Sequence, residues 1–225
     1  MATHLDLEEQ EQLDQIKAFW KQYGNLITWT VILALGAFAA WNGWNWWQRD
    51  QAVKAGAMYD ELDRAAQAAD VERVAGIFKD MQERYPRTAF AQQAGLLAAK
   101  VQVEKGQADA AATSLNWVSA NAVEAEYQTV ARLRLAGLLT DQKKYDEALK
   151  QLDGATAKEF EALVLDRRGD VLLAQGKTEE AKAAFTKAWQ AMDPQVEYRR
   201  LIDAKLTSLG AAPPAEAPKT AGAAK

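Results

Sequence analysis

With 225 residues, 31 acidic and 27 basic side chains and a formal charge of −4, the chain has room for one domain with appendages. The acidic balance offers no basic stripe to a phosphate backbone, which excludes nucleic acid as a partner, and the absence of cysteine removes disulfides, thiolate catalysis and cysteine-ligated metal. One histidine, His4, and three serines, Ser114, Ser119 and Ser208, supply neither a nucleophile–base pair nor a zinc ligand set, so no catalytic, cofactor or metal site and no small-molecule substrate is expected.

Residues 1–21 are a polar tail in which Asp6, Glu8, Glu9, Glu11 and Asp14 outweigh Lys17 and Lys21. Leu13, Ile16 and Trp20 recur at i, i+3 and i+7, so the second half of this tail is expected to extend the helix that follows. Residues 22–48 contain no charge, and Leu26 to Trp47 is an almost continuous apolar run. Twenty-two residues at about 1.5 Å each give about 33 Å, the thickness of a bilayer's hydrocarbon. Trp20, Tyr23 and Trp29 lie toward one end, and Trp41, Trp44, Trp46 and Trp47 at the other. Amphipathic rings at both ends of an apolar helix mark the two interfaces of a lipid bilayer; Trp20, Tyr23, Trp41, Trp44, Trp46 and Trp47 are the expected anchors, with Asn42 and Asn45 at headgroup depth. A buried core helix is usually shorter and seldom apolar on every face. A cleaved signal peptide has a possible site at Ala37-Phe38-Ala39, but its leader would be long and acidic rather than short and basic. An uncleaved span is therefore the reading. The flanking cations, Lys17 and Lys21 against Arg49, Lys54 and Arg64, do not decide its orientation.

From residue 49 to 209 the composition is rich in Ala, Leu, Glu, Lys and Gln, with helical apolar spacing throughout. Breaks fall at Tyr85-Pro86, Lys105-Gly106, Gln142 to Lys144, Gln175-Gly176 and Asp193-Pro194. Thr156 and Glu159 have the spacing of a capping box, and Asp193-Pro194 that of an N-cap and first helical residue. Every second helix carries an apolar triplet at i, i+4, i+7: Val74/Phe78/Met81, Ala111/Leu115/Val118, Ala148/Leu152/Ala155 and Ala181/Phe185/Ala188, with starts 37, 37 and 33 residues apart. Twelve residues before each stands Leu62, Ala99, Ala136 or Gly169, mostly small, as a close helix crossing requires. The turns Gly106 to Ala111, Lys143 to Ala148 and Gly176 to Ala181 match in length. Periods of this size mark stacked helix pairs. Residues 195–209 read as a terminal capping helix, and the Ala/Pro-rich residues 210–225 as a disordered tail.

This pattern resembles the tetratricopeptide repeat, best in residues 162–194, where Gly169, Ala181, Phe185 and Ala188 stand at the motif's positions. It departs from that motif at Met58, Gly95, Arg132 and Leu165, where an aromatic is the rule. The expected fold is all-α: a single N-terminal transmembrane helix, then an α-solenoid of degenerate repeat pairs. A solenoid presents an extended surface to polypeptide. By the repeat register its first helices should turn Tyr59, Asp63, Gln93, Lys100, Leu133, Asp166 and Asp170 toward a partner-binding groove, Asp166 and Asp170 having an intra-repeat ion pair with Arg168 as their alternative role.

The acidic tail, the Trp-flanked span and the stretches Arg132 to Ala136, Ala148 to Asp153 and Asp166 to Gly176 together resemble the YfgM family of bacterial inner-membrane proteins, ancillary subunits of the SecYEG translocon. The resemblance covers about residues 10–209. It implies a cytoplasmic N-terminus, a periplasmic repeat domain, association with the SecYEG translocon and a PpiD-like membrane chaperone, and transfer of client polypeptides to periplasmic chaperones. It carries no catalytic residue. The competing readings are a regulatory anchor whose tail sequesters a cytoplasmic regulator, and a cell-division or outer-membrane assembly adaptor.

Overall fold

The computed structural model describes residues 7–213; His4 and residues 214–225 of the Ala/Pro tail lie outside it. No strand occurs among the described residues. The chain divides into two units, residues 1–51 and 52–225.

The described part of the first unit belongs to helix α1, Leu7–Gln67, which starts well inside the acidic tail, as the spacing of Leu13, Ile16 and Trp20 predicts. It is the one helix among the described residues long and apolar enough to cross a membrane, and only 6% of its most apolar stretch is buried, which separates it from a core helix. Leu26, Leu33, Phe38 and Trp46 stand open. Polar side chains within the run return to their own helix: Thr28 Oγ1 donates to the Gly24 carbonyl at 2.7 Å, Thr30 Oγ1 to Leu26 at 2.8 Å and Asn42 Nδ2 to Phe38 at 2.9 Å. These bonds satisfy donors that hydrocarbon could not.

The second unit begins with residues 52–67 of α1 and continues with α2 (Val71–Arg84), α3 (Ala89–Glu104), α4 (Ala108–Asn121), α5 (Ala125–Asp141) and α6 (Tyr145–Asp153). A single 3-10 turn, Lys158–Phe160, precedes α7 (Glu161–Ala174), α8 (Thr178–Ala191) and α9 (Arg199–Ser208). The helices pair in sequence, and the residues picked out by their period form the interior. Val74, Phe78, Met81, Ala111, Leu115, Val118, Ala148, Leu152, Ala181, Phe185 and Ala188 are all buried, as are Leu62, Ala99 and Ala136. Gly169 is buried against Phe185, and a Cβ at this position would overlap the edge of the ring. Gly95 is closed in the same way by Phe78 and Val118. The missing Cβ lets a large residue of the second helix seat against the backbone of the first. Buried apolar residues gather in three clusters, around Phe78, around Leu115 and Leu135, and around Phe185.

The turns inside the pairs share one backbone solution. Ala69, Gly106, Lys143 and Gly176 all have positive φ, at 53°, 74°, 61° and 79°. Each next residue donates its N–H five residues back: Asp70 to Ala65, Gln107 to Gln102, Lys144 to Leu139 and Lys177 to Leu172. This left-handed ending satisfies carbonyls the helix leaves free. Two of the four are not glycine, and an L-residue in that conformation costs about 1–2 kcal/mol, offset in part by the entropy a glycine loses. Lys143→Gly is therefore expected to stabilise the chain by about 0.5–1 kcal/mol in urea unfolding; a loss of stability would mean that the Lys143 side chain contributes more than its backbone costs.

Three local expectations are corrected. Helix α6 ends at Asp153, so Ala155 is only partly buried, in the loop beyond it. Thr156 caps nothing: the Ala157 N–H bonds Thr129 Oγ1 of α5 at 3.2 Å, and this tether starts the chain as the 3-10 turn at Lys158 before α7 begins at Glu161. Asp193 Oδ1 accepts from the Gln195 N–H at 2.8 Å, closing a local turn around Pro194, and the next helix waits until Arg199.

Candidate interaction surface of the repeat domain

Successive first helices touch, α3 with α5 and α5 with α7, whereas the second helices α4, α6 and α8 make no comparable contact with one another. In a stack of pairs the layer drawn together is the inner side of the curve, so the first helices line it. Their side chains cross between pairs. Gln93 Nε2 on α3 donates to the Tyr127 hydroxyl of α5 at 2.8 Å. The Tyr59 and Phe90 rings stand 5.9 Å apart, and Phe90 lies close over Gly56. Burial, then the neighbouring Asp63 carboxylate, pushes the Tyr59 phenol above its ordinary pKa. Arg134 Nη1 on α5 donates to the Leu96 carbonyl of α3 at 3.0 Å, and the Arg167 guanidinium of α7 approaches Gly137 of α5.

Among the sequence-predicted groove residues, Tyr59, Asp63, Gln93 and Leu133 are half-buried, and Lys100 is exposed, 3.9 Å from Glu104. Asp63 accepts from Gln67 Nε2 at 2.7 Å. The aromatic residues expected at the membrane interfaces, Trp20, Tyr23, Trp41, Trp44, Trp46 and Trp47, are all exposed on α1, with the Trp44 and Trp47 rings 5.2 Å apart.

Asp166 requires a correction: it is 2% exposed and does not face open solvent. Helix α9 covers it. Lys205 Nζ donates to both Asp166 oxygens, at 2.8 and 2.9 Å, and to Asp170 Oδ1 at 2.7 Å, while the Tyr198 hydroxyl donates to Asp166 Oδ2 at 2.8 Å. Asp170 keeps a longer contact with Arg167, 3.7 Å. Arg168 turns the other way, to Asp153 at the end of α6, at 2.6 Å. The anticipated Asp166–Arg168–Asp170 cluster is thus split between two partners. Burial raises the Asp170 carboxyl above its usual range against the pull of Lys205. Burial and the Asp166 hydrogen bond raise the Tyr198 phenol to about 12. The same helix adds Arg199, whose guanidinium lies 4.0 Å from the Trp189 ring centre.

Sequence reasoning passed over Phe90, Tyr127, Arg134, Tyr198 and Lys205. The last had a readable signal, a lone lysine between Ile202 and Leu206 on a terminal helix that had to pack somewhere. The others are contacts between pairs, which a repeat period does not encode. Among the described residues no group of three or more His, Asp or Glu side chains is arranged to hold a metal ion.

An all-helical repeat domain whose inner layer offers aromatic, amide and guanidinium groups, carried on a chain with one exposed apolar helix, defines a protein-interaction module. The model of the tetratricopeptide repeat-like domain matches residues 17–211. Similar proteins named ancillary SecYEG translocon subunit occur in Neisseria gonorrhoeae, 33% identical over 93% of this chain and 100% of the relative, and in Haemophilus influenzae, 30% identical over 82% and 90%. One from Escherichia coli, with the same name, is 30% identical over 79% of this chain and 85% of its own. The chain belongs to this YfgM family of ancillary SecYEG translocon subunits.

Proposed function

We propose that the chain is a non-enzymatic scaffold held beside the Sec translocon in the bacterial inner membrane, with residues 1–21 cytoplasmic and the repeat domain periplasmic. There it receives translocated polypeptides and passes them to periplasmic chaperones, a PpiD-like membrane chaperone among them. The observation that carries this reading is the union, in one chain similar to its relatives over nearly its whole length, of an exposed apolar helix and a repeat domain with a polypeptide-sized inner surface. Anchoring confines that surface to the bilayer of its partners and raises its effective concentration there. Bilayer spacing supports the anchor: residues 20 to 47 are separated by about 40 Å of helix, the reach from one headgroup region to the other. The test is purification of the tagged full chain in gentle detergent, with mass spectrometry of what accompanies it. Translocon subunits and a membrane chaperone are expected. Their absence, with the chain folded and in the membrane fraction, would overturn the reading. Protease added to spheroplasts should digest the repeat domain and spare the tail; protection of the domain would reverse the topology.

A further inference from the structure

A cleft of about 420 Å³ opens between α3 and α5. Its middle is apolar, made by Ala99, Val103 and Leu138, and Gly137, beside the Arg167 guanidinium of α7, lines it as well. Its charges are ordered along the helices. Lys100 and Arg134 lie on the N-terminal side, while Glu104 and Asp141 are the last residues of α3 and α5. The two helices, separated by one hairpin-connected helix, run in the same direction, so both acidic groups and both negative helix ends fall at one end of the cleft. Four residues separate Lys100 from Glu104 and seven separate Arg134 from Asp141, or about 6 and 10 Å along a helix.

The cations have poor partners within the protein. Lys100 and Glu104 are 3.9 Å apart, both mostly exposed, which makes a weak pair. Arg134 makes its hydrogen bond to a neutral carbonyl, Leu96, and no carboxylate pairs with it among the described residues. The Arg134 residue as a whole is exposed, and partial desolvation of its guanidinium by the helices beside it lowers its pKa. A cation whose hydrogen bond goes to a neutral carbonyl gains when a carboxylate arrives.

We propose that this cleft binds an extended segment of a partner polypeptide bearing an acidic, an apolar and a basic side chain at alternate positions, which extended backbone turns to one face. The acid meets Arg134 and Lys100, the apolar group lies between Val103 and Leu138, and the base meets Glu104 and Asp141. Extended chain advances about 3.3 Å per residue, so the outer two of three alternate side chains leave the backbone about 13 Å apart, and flexible glutamate and lysine side chains leaning inward cover the difference. A zwitterionic lipid headgroup also offers both signs, but its apolar part lies at one end, whereas this cleft has its apolar part between the charges. The inference rests on the reading of the repeat domain as a polypeptide-binding surface, and gives that surface a sequence preference.

The experiment uses the full chain in detergent micelles and three end-blocked fluorescent peptides, with glutamate, leucine and lysine, glutamate, leucine and glutamate, or lysine, leucine and lysine at alternate core positions separated by serine, in the same neutral flanks. Anisotropy titrations should show the mixed-charge peptide bound about tenfold more tightly than either other, the worth of one charge-assisted hydrogen bond. Arg134→Glu should move the preference to the doubly basic peptide, and Arg134→Gln should lose the preference without reversing it. Circular dichroism establishes that each variant is folded; if Arg134→Glu is not, the glutamine variant decides alone. Equal binding of all three peptides by the wild type, or an unchanged order in a folded variant, overturns the proposal. Displacement of the mixed peptide by phosphatidylethanolamine vesicles overturns the polypeptide assignment in favour of lipid. Translocon subunits that still accompany a wild type without peptide preference would leave the scaffold reading intact and remove only the cleft.

Discussion

Phe185→Ala is expected to destabilise the repeat domain by about 3–5 kcal/mol in urea unfolding of the full chain. The ring is fully buried, seated on Gly169 and surrounded by Ala181, Ala188, Ile202 and Leu206. Its removal leaves a cavity at the crossing of α7 and α8, whose backbones are already close and cannot collapse further without disturbing α9. Gly169→Ala should be costly for the opposite reason. The new methyl overlaps a ring carbon, and overpacking of this kind costs about 1–3 kcal/mol. The two changes should not add. With the ring gone the methyl occupies space that is otherwise empty, so the double variant should recover stability relative to the sum of the single losses. A Phe185→Ala loss within about 0.5 kcal/mol would mean a surface residue, and strict additivity would mean that residues 169 and 185 do not share a contact.

The second large effect is expected at Asp166. Asp166→Ala should cost about 3 kcal/mol, because it leaves the Lys205 ammonium, 22% exposed, with half its counter-charge and the Tyr198 hydroxyl without its acceptor. Paired apolar replacement, Asp166→Leu with Lys205→Met, should cost much less, since it removes both charges rather than stranding one. Tyr198→Phe separates the hydrogen bond from the ion pair. The Tyr198 phenol titrates at about 12 in the folded chain, above its ordinary 10.0. A raised phenol contributes its stability in full below the unfolded value and loses it as pH climbs through the folded one. The stability gap between wild type and Tyr198→Phe should thus be widest below pH 10.0 and close toward pH about 12. A gap independent of pH over that range would mean that the hydroxyl is not held by Asp166.

The helix pairs were legible because apolar identity at one face of a helix has few other uses. Val74, Phe78, Leu115 and Phe185 declare their burial by spacing alone, and Gly169 declares a close crossing. Local capping patterns were less dependable. Thr156 and Asp193 have the right chemistry for an N-cap, yet each is overruled by a competing bond, Ala157 to Thr129 in one case and Gln195 to Asp193 in the other. The candidate surface was legible only in part, since the register assigns a face to each first helix and is silent about what later covers it. By register Asp166 and Asp170 belong to the open groove, but α9 brings Lys205 and Tyr198 over them. Arg134 escaped notice because its significance is the missing carboxylate, a fact of three-dimensional neighbourhood.

The three apolar clusters are joined through few side chains. Trp117 packs against the first and second, its ring edge-on to Phe78 at 5.4 Å, and Leu149 packs against the second and third. Resistance to unravelling is therefore parcelled out along the chain rather than pooled. Amide hydrogens of α8 and α9 should exchange with solvent through an opening that leaves α4 and α5 protected. Trp117 and Leu149 act as couplings through which each cluster lends stability to its neighbour. Weakening either should widen the spread of exchange rates across the domain more than it lowers the average, giving a solenoid whose ends breathe while its middle stays closed.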